Sequence, residues 1–473
     1  MGNSRPEIDD QLIAKYGGPG PRYTSYPTAL EFSVEHRAEA LIAALHAGNH
    51  ELIPADLSVY VHVPFCASPC FYCGCNKVIT RSSSIGDEYL RHLALEVQRL
   101  AAHVASDRKV RQIHLGGGTP TFLNLEQIEQ LLTLISDHLV IALDAEISLE
   151  IDPRSVTADG LHRLAGMGFN RLSMGVQDLD QRVQQAVNRV HGEQLIDAQI
   201  KAARAAGFAS ISVDLIYGLP HQTRQSFADT MARMIAMRPD RLSLFNYAHM
   251  PHKFKAQRQI KAVDLPDADT KLAIFHQSMD QLLAAGYEYI GMDHFALPED
   301  ALARARQDGS MVRNFQGYST LGDLDLLAFG PSAISQVGDT FSQNLHEYRA
   351  WCKALAATST DNAGLAVMRG LTRSAEDRLR ADVINAIMCR GALDFASVEA
   401  AHNIDFELHF AAELERLQTL QHDGLIRFSG RGLRITPVGQ QLLRAIAMVF
   451  DSYIHAARSR QTDNSVQRFS RVI

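Results

Sequence analysis

Between about residue 57 and residue 292, short runs rich in β-branched and aromatic residues alternate with longer stretches of helical hydrophobic spacing. The short runs predict strands at Leu57–Val63, Gln112–Leu115, Glu146–Ile151, Arg171–Val176, Ser210–Ile216, Arg241–Phe245 and Tyr287–Gly291. The longer stretches predict helices at Asp87–Val104, Glu193–Ala206, Gln225–Met237 and Thr270–Ala285. Another follows Asn124, a residue suited to an N-cap, where Leu125, Ile128, Leu131, Leu132, Ile135 and Leu139 share one face. Alternation of this kind builds a parallel sheet with crossover helices, either doubly wound or closed toward a barrel.

The residues that follow the strands decide between the two. Cys66 comes after the first strand, Gly116–Gly118 after the second, and Glu150 and Asp152 close the third. Gln177 and Asp178 follow the fourth, Asp214 lies in the fifth, Asn246 and His249 follow the sixth, and Asp293 and His294 the seventh. Chemistry-bearing residues at the C-terminal ends of many strands mark a barrel, whereas a doubly wound sheet gathers them at one switch point. The fold is therefore read as α/β, an incomplete (β/α) barrel. From about residue 370 the pattern turns helical, at Glu376–Met388, Glu407–Gln421 and Pro437 to about Ala457. A hairpin of Leu425–Phe428 and Leu433–Thr436 interrupts it, which suggests a mainly helical, winged-helix-like domain. The expected division is an N-terminal arm (1–45), the partial barrel (46–350), a linker (351–369) and the C-terminal domain (370–473).

Composition removes several function classes. A chain of 473 residues exceeds the roughly 100–200 of a single domain. A net charge of −7 gives neither nucleic acid nor an anionic membrane much to attract, so the winged module reads as structural rather than DNA-binding. No run approaches the roughly 18 apolar residues of a membrane span. No basic, apolar leader opens the chain, which argues against secretion, and the sparse, clustered cysteines point to the reducing cytoplasm. Six cysteines are present and four, Cys66, Cys70, Cys73 and Cys75, fall within ten positions, which rules out a dispersed disulfide framework. Cys352 and Cys389 stand alone and read as small buried hydrophobes.

Four close thiolates suit zinc or an iron–sulfur cluster. A zinc tetrahedron is hard to close on one ten-residue loop. Three cysteines at x3 and x2 spacing, Cys66, Cys70 and Cys73, can instead face one cluster and leave an iron open. Gly116-Gly117-Gly118-Thr119-Pro120 permits close backbone approach to a ligand or simply a tight turn, and it lacks the Lys of a nucleoside-triphosphate loop. Glu150 and Asp214 are surface carboxylates in the bland reading and acceptors for ribose hydroxyls in the functional one.

The C-x3-C-x2-C spacing, with an aromatic before the third cysteine, resembles the radical S-adenosylmethionine superfamily. Further segments narrow the likeness: Arg22–Pro27, Cys73–Lys77, Asn170–Asp178, Asp214–Pro220, Phe245–His249, Gly291–Phe295, Arg313–Tyr318 and Gln467–Ile473. Together they resemble the oxygen-independent coproporphyrinogen III oxidases (dehydrogenases) along essentially the whole chain. The resemblance implies a barrel of the radical-SAM type and a [4Fe-4S] cluster on Cys66, Cys70 and Cys73. It also implies two molecules of S-adenosyl-L-methionine. Tyr60, Gly117, Glu150 and Ile334 would meet the first, and Tyr72, Gly118, Thr119, Gln177, Arg189, Asp214 and Ala248 the second. Arg189 would otherwise be an ordinary helix-surface arginine. The implied reaction is conversion of two propionates of coproporphyrinogen III to vinyl groups, giving protoporphyrinogen IX in haem synthesis. A 5′-deoxyadenosyl radical would begin it, since no side-chain acid or base breaks an unactivated C–H bond. Catalytic residues beyond the cluster and nucleoside sites stay unassigned. Cys75 matches a family residue that is not a cluster ligand.

Two departures stand out. Phe71-Tyr72 precedes the third cysteine where tyrosine then phenylalanine is expected, and Ala67-Ser68-Pro69 is an unusual filling. The substrate's four propionates suggest Arg22, Arg313, Arg468 and Arg471 as contacts, although each also fits a structural role. The expected partners are coproporphyrinogen III and a low-potential electron donor such as a flavodoxin or ferredoxin, acting on a monomer. The rival reading is the related haem chaperone. It shares the cluster motif and barrel but lacks the fourth cysteine and the N-terminal arm with Tyr23 and Tyr26, both present here. A zinc-dependent regulator using the winged module is more remote.

Overall fold

The computed structural model describes residues 10–357 and 361–459; Arg468, Arg471 and the Gln467–Ile473 segment lie outside the described residues. Two compact units form. One comprises Phe32–Lys271 and Asp323–Thr372; the other takes the described residues up to Glu31, Leu272–Gly322 and those from Arg373 on.

The first unit is a partial (β/α) barrel. Its strands are β1 (Leu57–Val63), β2 (Val110–Gly117), β3 (Ile141–Ile151), β4 (Arg171–Gln177), β5 (Ser210–Tyr217), β6 (Arg241–Asn246), β7 (Asp325–Phe329), β8 (Ile334–Val337), β9 (Thr340–Asn344) and β10 (Val367–Thr372). They are ordered β10–β9–β8–β7–β1–β2–β3–β4–β5–β6. From β7 through β6 every pairing is parallel, whereas β7–β8, β8–β9 and β9–β10 are antiparallel. Because β1 to β6 lie side by side in sequence order, with chemistry-bearing residues at the end of each rather than at one switch point, the barrel reading holds.

Side-chain alternation explains why this sheet curls around a site. Val59, Val61 and Val63 are fully buried on one face, together with Ile113 and Leu115 of β2. The opposite parity carries Ser58, Tyr60 and His62, then Gln112 and His114, then Glu146, Ser148 and Glu150. These polar groups satisfy one another across the strands. Ser58 Oγ donates to Gln112 Oε1 (3.0 Å), Gln112 Nε2 donates to Glu146 Oε1 (3.0 Å), and Arg171 Nε pairs with Glu146 Oε2 (2.5 Å). A buried polar face is stable only when paired in this way. Helices cover the apolar face, and the one at Leu125–His138 starts with a full capping box between Asn124 and Gln127.

Three expectations are corrected. The stretch 351–369, read as a linker, is helical to Ala356 and re-enters the sheet at Val367; Trp351 within it is fully buried. The strand expected at Tyr287–Gly291 does not extend the parallel series. Glu288–Gly291 pairs antiparallel with His294–Ala296, because the two residues between them leave no room for a crossover. The final helix is broken into Pro437–Gln440, Leu443–Ala447, a 3-10 turn and Ser452–Ser459. Extended Asp451 makes the last break by accepting the backbone N–H groups of Tyr453 and Ile454 on Oδ1.

The second unit is mainly helical, with a small antiparallel sheet of Ala392–Asp394, Gly432–Ile435 and Ile426–Phe428. Phe395 stacks on Phe406 with ring centres 4.0 Å apart, and Phe410 meets Phe450 edge-on at 5.3 Å. The N-terminal segment is tied into it: Tyr23 Oη donates to Asp451 Oδ2 (2.8 Å), and Tyr26 Oη lies 2.9 Å from Ser452 Oγ.

Candidate active site

A cavity of about 600 Å³ opens at the C-terminal ends of β1–β6. Each strand sends at least one residue to its wall, among them Cys66 just past β1, Gly117, Glu150, Gln177, Asp214 and Phe245. Cys70, Tyr72, Cys73, Gly118, Thr119 and Arg189 complete the part anticipated from the sequence.

The cysteine loop is held at its base and on both sides. Phe65–Cys66 pairs in parallel with Val78–Ile79 and closes the neck. Phe71 N donates to Val187 O (3.0 Å), Asn188 Nδ2 to Pro69 O (2.7 Å), and Asn76 Nδ2 to Ser332 Oγ (3.0 Å) and His346 O (2.8 Å). Phe71 and Tyr72 both pack against an apolar cluster of Val183, Val187, Ile216, Leu219, Tyr247 and Ile260. Both aromatics of the inverted pair therefore keep apolar partners, and the Tyr72 hydroxyl interacts with Cys70.

The loop's own chemistry separates its cysteines. The Cys73 thiol is lowered to about 5, first by the hydrogen bond with the Cys75 side chain and also by Lys77, against the opposing effect of burial. Cys75 is pushed up in return by the same hydrogen bond. Cys66 is raised by burial, which outweighs the hydrogen bond with Thr119 Oγ1 at 3.5 Å. All six cysteines are free thiols.

The glycine run is shaped by packing as much as by any ligand. A Cβ on Gly118 would lie 2.7 Å from the Phe65 carbonyl oxygen, and one on Gly117, at φ 109°, would lie 2.5 Å from the His62 ring. These glycines let β2 close on the cysteine strand.

Two carboxylates face the cavity with opposite shifts. Glu150 is held below its ordinary value although burial raises it, because His114 hydrogen-bonds to it and Gly117 N donates to Oε2 at 3.4 Å. Asp214 is pushed up to about 6 by burial and then by the Glu150 charge; Ser243 and Ser173 hydrogen bonds oppose the shift. Arg189 is a buried cation. Its Nε donates to Gly175 O (2.9 Å), and Nη1 reaches Asp152 Oδ2 (3.0 Å) and Cys70 Sγ (3.5 Å). Gln177 adopts φ 72°, unusual for a side-chain-bearing residue, and its buried Oε1 has no hydrogen-bond partner. A strained residue with an unused buried acceptor is the mark of a ligand contact.

A model of the radical SAM superfamily matches residues 60–234, and one of the HemN C-terminal domain matches residues 374–442. The oxygen-independent coproporphyrinogen III oxidase of Salmonella typhimurium is 47% identical over 473 residues, covering 100% of both chains. Its namesake from Escherichia coli is 46% identical over 465 residues, covering 98% of each. The chain belongs to the oxygen-independent coproporphyrinogen III oxidase family. The solved structure of coproporphyrinogen III oxidase (HemN) from Escherichia coli, a radical SAM enzyme, superposes at a TM-score of 0.89. It is 45% identical and covers 95% of this chain and all of its own.

Set against this family, five anticipated residues are not on the cavity wall. Tyr60 lies one layer deeper, stacked on His114 at 5.8 Å. Ala248 is tied to the cysteine loop through Gln257, whose Nε2 donates to both Ala248 O (3.2 Å) and Tyr72 O (2.9 Å). Ile334 begins β8, half-buried. Arg22 and Arg313 belong to the second unit, where Arg22 pairs with Asp293, and Arg313 Nε donates to Arg22 O (3.0 Å). Asp152, anticipated only as a strand-end carboxylate, and His114, not anticipated, organise the set. Asp152 holds Arg189 and Arg154 together, and His114 lies 3.5 Å from Glu150. The parity of the polar residues along β2 was the available signal for His114.

Proposed function

We propose that this protein converts two propionate side chains of coproporphyrinogen III to vinyl groups with loss of carbon dioxide, yielding protoporphyrinogen IX. The observation that carries this reading is a three-cysteine loop on the wall of a cavity whose other walls present Glu150, Asp214, Gln177 and Arg189. The donor set fits the family's cofactors, since three soft thiolates face a cavity and buried polar atoms stand ready for a nucleoside and an amino acid. When bound, a reduced [4Fe-4S] cluster on Cys66, Cys70 and Cys73 would supply the electron that cleaves S-adenosyl-L-methionine into methionine and a 5′-deoxyadenosyl radical able to take hydrogen from a propionate, and an external acceptor would take the one electron released as carbon dioxide leaves.

The residues around that chemistry bind and orient. Lys77, with its ammonium 3.2 Å from Cys73 O, keeps the loop electrostatically suited to thiolates. Glu150 stays ionised and accepts from ligand hydroxyl or ammonium groups near Gly117. Gln177 Oε1 accepts one further donor, and Arg189 sets a positive charge against a carboxylate. Two corners, Glu150 with Gly117 and Gln177 with Arg189 and Asp214, support two S-adenosyl-L-methionine molecules. For the substrate, Arg313 is the stronger arginine, because its buried Nη1 is unpartnered and its guanidinium lies 4.5 Å over the Tyr318 ring.

The electron donor is a small acidic carrier such as a flavodoxin or ferredoxin. Between His249 and Val263 the chain holds no acid, and Lys253, Lys255, Arg258 and Lys261 are exposed. This segment backs onto the cysteine loop, since a Cβ on Gly74 would lie 3.0 Å from the Phe254 ring. We place the protein in the cytoplasm; no described helix is long and apolar enough to cross a membrane.

Anaerobic cluster reconstitution, followed by incubation with S-adenosyl-L-methionine, a reductant and coproporphyrinogen III, tests the proposal. Protoporphyrinogen IX and 5′-deoxyadenosine should both appear. Formation of 5′-deoxyadenosine without the vinyl product would leave the radical chemistry standing and remove the substrate.

A further inference from the structure

We propose that Glu88, His92 and Cys352 form a zinc site, separate from the cysteine loop, that clamps helix Ser84–Ala101 to helix Tyr348–Ala356. One ligand atom from each of the three residues lies within 4.8 Å of the other two. Glu88 and His92 stand one turn apart on the same helix face, and Cys352, 7% exposed, meets them from the other helix.

The chemistry of the set selects the metal. A carboxylate and a thiolate together neutralise a divalent ion, and sulfur with imidazole excludes calcium and magnesium, which take oxygen. Ligand atoms in a zinc tetrahedron lie roughly 3.3–3.7 Å apart, so the set closes by rotation of Glu88, which is only half-buried. Water takes the fourth position at the open side.

Two features beyond proximity prepare the site. His92 Nδ1 lies 2.8 Å from Glu88 O. A carbonyl oxygen only accepts, so Nδ1 carries the proton and Nε2 keeps its lone pair for a metal, the arrangement that orients zinc-binding histidines. The buried hydroxyl of Tyr348, 4% exposed and four residues before Cys352, interacts with the Cys352 side chain and can donate to a thiolate there. The site also bears on the barrel wall, since the Tyr348 ring meets Phe65, the residue before Cys66, edge-on at 5.2 Å.

The test uses cluster-loaded enzyme, kept anaerobic, incubated with zinc sulfate and desalted, with zinc and iron counted per chain. One zinc should be retained with iron unchanged, and zinc-edge absorption should show one sulfur among nitrogen and oxygen neighbours. Cys352→Ser and His92→Gln should each weaken zinc binding by about 100-fold or more, and Tyr348→Phe by about 10-fold. Zinc should raise the unfolding midpoint of the wild type but not of either ligand variant. Retention of no zinc, equal retention by Cys352→Ser and His92→Gln, or zinc gained only as iron is lost would each overturn the site.

Discussion

Replacing Asp214 with Asn separates what this carboxylate does for the fold from what it does for the reaction. In the folded chain its carboxyl is pushed from 3.8 to about 6, burial being the largest cause and Glu150 the next. Each unit is worth about 1.4 kcal/mol, so holding this charge above pH 7 costs the fold about 3 kcal/mol. The sign follows from the direction. A raised value means the folded state binds the proton more tightly than the unfolded chain, so protonation stabilises and the cost fades as pH falls through 6 toward 4. Asn keeps the shape and carries no charge. Asp214→Asn should therefore gain about 3 kcal/mol at pH 8 and about half of that at pH 5. With a urea slope of about 3 kcal/mol per molar, the midpoint at pH 8 moves up by about 1 M. The chain's single tryptophan, Trp351, is fully buried in the same unit and reports that transition by its emission. The same variant should bind S-adenosyl-L-methionine at least ten-fold more weakly, having lost an acceptor for ribose hydroxyls. A midpoint at pH 8 that stays put or falls, or a gain that does not change with pH, would show that the buried charge is not where this reasoning puts it.

Glu150→Gln should do the reverse at pH 8. Its carboxyl is held below the ordinary value, so the charge stabilises the fold at neutral pH and that contribution is lost as pH falls below the carboxylate range. Cys75→Ala should leave the iron content after reconstitution unchanged while raising the Cys73 thiol, seen as slower alkylation of the iron-free protein at pH 6. Gly118→Ala places a methyl against the Phe65 carbonyl and should reduce cluster assembly severely, as read from iron per chain. Arg189→Lys should keep the cluster and abolish vinyl formation, since one ammonium cannot serve Gly175 O, Asp152 and a ligand carboxylate together. Reversing Lys255, Arg258 and Lys261 to Glu should slow 5′-deoxyadenosine formation with a flavodoxin by about ten-fold or more and leave the rate with dithionite unchanged.

What the sequence made legible is what lies close along the chain. The cysteine spacing, the Asn124 cap and the strand-end residues are each set by a few neighbouring positions, and local stereochemistry is enough to read them. β7 to β10 were missed because three of them are short, polar or interrupted. Thr340–Asn344 reads TFSQN, and its five residues are buried by partners distant in sequence, Phe32 stacking on Phe341 and His36 lying 2.7 Å from Ser342 Oγ. The second unit gathers three separated stretches, whereas the change of composition near residue 370 reports only the last.

The polar interior of the barrel was legible in principle. In a parallel sheet covered on both faces the strands read as nearly continuous apolar runs. Here Ser58-Val59-Tyr60-Val61-His62-Val63 alternates strictly, and Gln112, His114, Ser148, Glu150, Ser173 and Asp214 fall on strands that alternate in the same way. That parity says one face is kept for something other than packing. It would have marked His114 as the group holding Glu150, and placed Tyr60 in a supporting layer beneath it. The glycine run teaches the converse. Its chemistry looked like ligand approach, yet Gly118 is required first by the Phe65 carbonyl. Closing the barrel on the cysteine strand and leaving room for a ligand are the same geometric demand, and one glycine meets both.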